Sequence, residues 1–152
     1  DADTGQLDIL VKLSQGAPGQ AVQLADSGAA DLYQVVCALL QSSTLDQPAL
    51  ASACAKLGRG TAAGQNTRLG AIFCVDRLLH HAALCASDVK GDHLCDFEMP
   101  VIERLASNHT AAQLARFHDA FVTKAAQAEG LYLDFARFLE RHLTKIYEKT
   151  LP

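Results

Sequence analysis

Apolar residues recur at helical spacing along almost the whole chain, and no stretch alternates apolar and polar residues as a half-buried strand would. That period restricts the chain to helix-on-helix architectures. Leu7, Leu10, Val11 and Leu13 open the pattern, and Gly16 stops the first helix. Pro18 stands where it opens the next one, because its missing N–H would be an orphan there anyway. Further glycines punctuate the rest: Gly28, then Gly58 through Gly64, and Gly91. Leu45 to Leu57 reads as a helix capped by Asp46 and entered early by Pro48. Asn66 or Thr67 starts a long apolar helix that ends near Ala86. Leu69, Ile72, Phe73, Val75, Leu78, Leu79 and Leu84 leave it almost no polar face, so it should be the central, most buried element.

Ser87 to Glu98 reads as a loop, and Pro100 opens a short helix to about Ala106. Thr110 and Gln113 make a capping box ahead of a helix that runs to about Glu129 and is closed by Gly130. Asp134 starts the final helix, which continues to about Lys149. There is no internal repeat. The expected fold is an all-α bundle of six or seven helices with short connections.

At 152 residues the chain is long enough for one good core. A hydrophobic fraction of 49% with 20% charged residues is that of an ordinary globular protein. The net charge of −4 disfavours strong direct nucleic-acid binding, which draws on a basic surplus. No uninterrupted run of about 18 apolar residues is present, so no membrane partner is expected. The chain opens at Asp1 without a basic-then-apolar leader, which fits a processed chain or, better, a fragment of something larger. Five cysteines (Cys37, Cys54, Cys74, Cys85, Cys95) are an odd number without a disulfide-framework spacing, and a reducing, cytoplasmic setting suits them.

Several groups of residues have the types that carry chemistry. His80, His81 and Cys85 lie close on one helix with His93 and Cys95 just beyond, which suggests a metal site. Structural zinc sites, however, usually present paired short spacings such as C-x₂₋₄-C, and none occurs. Asp76 and His80 stand four apart, as in a carboxylate orienting an imidazole, or as a helix-internal polar pair beside a core. No nucleophile motif accompanies them. Gly58 to Gly64 lacks the Gly-Lys-Ser/Thr ending of a phosphate loop. Asn108-His109-Thr110 matches a glycosylation sequon, but Thr110 already has a capping role. No catalytic residue, cofactor or small-molecule substrate is expected.

On the last helix Arg137, Arg141, Lys145 and Lys149 follow at steps of four beside an apolar face of Phe135, Phe138, Leu139, His142 and Ile146. Against Asp134, Glu140 and Glu148 these four bases leave +1 for residues 134–149. That is a modest basic stripe, fit to pair with acidic residues on a partner or to be a solvated helix face.

The corner Gly16-Ala17-Pro18-Gly19, with Leu32-Tyr33 following and Leu131-Tyr132-Leu133-Asp134-Phe135 near the end, resembles the delta prime subunits of the bacterial DNA polymerase III clamp loader. The likeness covers most of residues 7–147. It implies that residues 1–27 are the C-terminal tail of an AAA+ lid domain and residues 29–152 a helical collar, the oligomerisation domain. ATP-binding members of that family place an arginine where Gly19 stands, so the resemblance implies a subunit that does not bind or hydrolyse ATP. It implies a non-enzymatic module whose partners are the other clamp-loader subunits. The lid corner would be Gly16, Pro18 and Gly19, and the subunit interface would include Arg137, Arg141, Lys145 and Lys149. The helical metalloprotein and a helical regulatory adaptor stand as alternatives.

Overall fold

The computed structural model describes residues 2–56, 62–130 and 134–148. Among them are eight helices and no strand: α1 (Ala2–Leu13), α2 (Pro18–Ser27), α3 (Ala29–Leu40), α4 (Gln47–Ala55), α5 (Ala62–Ala86), α6 (Met99–Asn108), α7 (Ala111–Gly130) and α8 (Phe135–Tyr147). The all-α expectation holds, with eight helices where six or seven were expected. The turn at Gly28 contributes to that count: at φ +70 it ends α2 and serves as the N-cap of α3.

The chain signals act where the sequence placed them. Asp46 caps α4 by accepting a hydrogen bond from the Ala49 N–H at 3.0 Å. Thr110 and Gln113 exchange both capping-box bonds at 3.1 and 2.9 Å. Asp134 caps α8 through the Arg137 N–H. Helix α1 ends in a Schellman motif, in which the Gly16 N–H reaches the Val11 carbonyl and the Gln15 N–H reaches Lys12. Gln15, at φ +53, takes the left-handed position there, and Gly16, at φ +81, follows it.

α5 is the axis of the bundle, packed against α2, α3, α6 and α7, while α8 closes against α4 and α7. Its length exceeds expectation because Ala62 and Ala63, the best helix formers, carry the helix back past Gly64. Its burial differs too. The enclosed apolar side chains are Ala71, Cys74, Val75, Leu78, Leu79 and Ala82, whereas Leu69 is 50% exposed and Phe73 is half-buried. Near Gly70 the α2–α3 corner presses in so closely that a Cβ there would stand 2.6 Å from the Ala29 Cβ. Contact is made on the glycine side, and Leu69 is left facing out. By length and composition Gln65–Ala86 is apolar enough to cross a membrane. Four packed neighbours account for that character within the fold.

α6 runs to Asn108, two residues beyond the expected end near Ala106, and α8 ends at Tyr147. Residues 57–61, most of the glycine-rich stretch, and 131–133 lie outside the described residues, as does Lys149.

Candidate functional site

Three places in the bundle concentrate polar or charged groups, and they differ in what they leave free. The first is buried. Glu98, fully enclosed ahead of α6, accepts from the Arg77 Nε at 2.7 Å and Nη2 at 3.0 Å. It also accepts from the Tyr33 hydroxyl at 2.6 Å and the Cys95 N–H at 2.8 Å. Arg77 completes its fork on the His93 carbonyl at 2.6 Å and the Lys12 carbonyl at 3.5 Å. Burial alone would raise the Glu98 carboxyl, but the bonds from Arg77, Tyr33 and Cys95 outweigh it and hold the acid below its usual range. Every partner is a neighbour in the same fold, so the network joins α1, α3, α5 and the loop after α5.

The second place is the α5–α7 seam. Asp76 does not pair with His80, as the four-residue spacing suggested. It bonds the Nε2 of His118 on α7, whose Nδ1 faces Asp119. His80 is left beside the His118 ring, with centroids 6.5 Å apart. A partner on the facing helix displaces the intrahelical one because α5 and α7 pack closely along this seam. Around the corner, His81 and Cys85 line a cavity of about 340 Å³ with Leu94, Met99 and Ile102. Gly91 lies over the His81 Nδ1, a buried nitrogen with no hydrogen-bond partner. His93 is exposed, and Cys95 is buried with its N–H on Glu98. The histidines and cysteines named from sequence thus fall in separate surroundings. Among the described residues no three His, Cys, Asp or Glu side chains are placed to hold one metal ion.

All five cysteines are free thiols. Burial pushes Cys54, Cys74 and Cys95 up to about 12, and Cys37 further in the same direction.

The third place is the outer face of α7 and α8. Phe135, Leu139, His142, Leu143 and Ile146 bury one side of α8, which leaves Arg137, Arg141 and Lys145 exposed on the other. The helix is held firmly. His109 Nε2 donates to the Ile146 carbonyl at 3.1 Å, the Tyr147 hydroxyl donates to the Ser42 carbonyl at 2.8 Å, and Arg104 stacks on the Tyr147 ring. Lys124 of α7 adds a fourth cation. Burial lowers the buried His142, and the charges of Lys124, Lys145 and Arg141 lower it further. Reading α8 alone missed Lys124, because its place depends on how α7 lies against α8.

The Gly16–Gly19 corner is fully exposed, and a Cβ at Gly16 or Gly19 would meet nothing within 4 Å. The network of Arg77 and Glu98 was missed from sequence. Its signal was a cation and neighbouring Asp76 in the middle of an otherwise apolar helix, since a buried guanidinium requires a carboxylate somewhere.

No family model, no curated protein and no solved structure matches this chain.

Proposed function

We propose that the chain is a non-catalytic assembly module, the lid end and collar of a clamp-loader subunit of the delta prime kind, which supports sliding-clamp loading in bacterial DNA replication. The observation that carries this reading is where the polar side chains are spent. The buried Arg77, Glu98 and Tyr33 close on one another, while the unpaired cations stand on the outer face of a rigid helix. A scaffold needs that division between a locked interior and a charged exterior that recognises neighbours. The corner at Gly16 to Gly19 adds support, because it joins α1 to α2 with no charged side chain at the position where ATP-binding relatives carry an arginine.

In this reading residues 1–27 belong to the lid, residues 29–152 to the collar, the partners are the other loader subunits, and the setting is cytoplasmic. The test is reconstitution of the chain with the other loader subunits, followed by size-exclusion chromatography at low and high salt. Co-elution supports the module, and elution as a separate species under both conditions overturns it.

A further inference from the structure

Lys124, Arg137, Arg141 and Lys145 are exposed, and among the described residues none of them makes an ion pair. Folding alone does not favour this arrangement. Like charges four residues apart on a helix repel one another, and Arg137–Arg141–Lys145 is two such pairs in series. Arg137 also lies in the first turn of α8, where the positive end of the helix dipole opposes a cation, and the acid at that end is the N-cap Asp134, whose carboxylate accepts from the Arg137 N–H. Only Lys145, in the last turn, is placed as the dipole prefers. Lys124 adds its charge from α7, and the combined field reaches the buried His142. Over residues 134–148 the three bases Arg137, Arg141 and Lys145 balance Asp134, Glu140 and Glu148, and Lys124 adds one positive charge on a chain whose net charge is −4.

The geometry is fixed as well as charged. Four residues of helix rise about 6 Å, so Arg137, Arg141 and Lys145 are spaced evenly along roughly 12 Å of a pinned helix. A second helix with carboxylates at the same four-residue step repeats at the same interval. We propose that the face formed by Lys124, Arg137, Arg141 and Lys145 docks an acidic helix of a protein partner, one that carries Asp or Glu at every fourth position. The inference rests on the reading of the chain as an assembly module and names the chemistry of the partner at that face. A protein fits better than a nucleic acid because Asp134 and Glu148 bracket α8 at its two ends and Glu140 interrupts its bases. Discrete carboxylates fit between those acids, whereas a continuous phosphate backbone running along the helix meets them all.

The test is a titration of the ¹⁵N-labelled full chain, followed by amide shifts, with an alanine-rich helical peptide carrying glutamate at every fourth position. Its glutamine counterpart, an isomer with the same glutamates off that step, and a short DNA duplex are the comparisons. Shifts confined to the faces around 124, 137, 141 and 145 are expected with the glutamate peptide. They should weaken with salt, be smaller for the isomer, and be absent for the glutamine peptide. The double variant Arg137→Glu, Arg141→Glu should weaken binding about tenfold or more. No shifts at this face, equal shifts from the isomer, or tighter binding of the duplex would each overturn the proposal. If the peptide fails while loader subunits still co-elute with the chain, the docking surface lies elsewhere and the assembly reading stands.

Discussion

Gly91 is the residue at which a single methyl group should cost most for its size. A Cβ there would run into the His81 Nδ1 and stand 2.8 Å from its Cε1, well inside ordinary contact. Gly91 does not have the positive φ that would strain an alanine, so the penalty is steric and local. The imidazole is a buried side chain of α5 and can yield only toward the cavity that it lines. Overpacking of this kind costs about 1–3 kcal/mol. Alanine returns about 0.4–1 kcal/mol by restricting the unfolded chain. Gly91→Ala should therefore destabilise by about 1–2 kcal/mol net in urea denaturation, with an unchanged m-value. In a His81→Ala background the clash is gone, so the same substitution should be neutral or stabilising, which gives a coupling of about 1–3 kcal/mol. Equal cost in both backgrounds, or a neutral Gly91→Ala in the parent, would show that the loop does not close on His81 in solution.

Four further outcomes follow from the same structure. Burial and the Arg77 charge lower His81, and burial lowers His142, so the unfolded chain takes up protons at these positions before the folded one. Stability should be constant above the ordinary histidine value near 6.5 and fall as the pH drops below it, with a shallower slope in His81→Gln, as chemical denaturation at several pH values will show. Arg77→Met or Glu98→Gln alone should each cost about 3–5 kcal/mol, and the double variant clearly less than their sum, in a denaturation cycle. Phe121→Ala, at a fully enclosed ring, should cost about 3–5 kcal/mol and exceed Phe73→Ala, whose ring is half-buried beside the α2–α5 groove. Isothermal titration with magnesium-ATP should give no binding heat, and micromolar affinity would contradict the assembly reading.

Local signals carried most of the fold because they are short-range. Asp46, Thr110 with Gln113, and Asp134 each act on backbone groups within three residues, so their effect is fixed before any tertiary packing. The errors arose where a distant neighbour decided. Leu69 looked central from its apolar run, but the α2–α3 corner approaches α5 on the Gly70 side. Asp76 looked paired with His80, but His118 reaches it from α7 across 42 positions of sequence. The candidate surface divides the same way. Arg137, Arg141 and Lys145 were legible from the α8 period alone, whereas Lys124 entered only with the packing of α7 on α8. Gly91 carried no sequence signal beyond being a glycine in a loop, because its constraint comes from the His81 ring and not from its own backbone.

The buried pair of Arg77 and Glu98 explains how an exposed corner and an irregular loop come to have fixed positions. Replacing such a pair by apolar residues of similar volume is often neutral or stabilising, so net stability is a weak reason for its presence. Its partners give a better one. Arg77 extends its Nη1, at 3.5 Å, to the Lys12 carbonyl at the end of α1, which also accepts from the Gln15 N–H. Its Nη2 holds the carbonyl of His93, a residue at φ +59 that costs energy to keep there. Glu98 ties in α3 through Tyr33 and the loop again through the Cys95 N–H. Apolar contact is non-directional and could not set these carbonyls and donors in register. One ion pair thus orients the end of α1, and with it the Gly16 to Gly19 corner, against the axis helix of the bundle. An assembly module requires that property, since neighbours can be recognised by an exposed element only if its position is set from within.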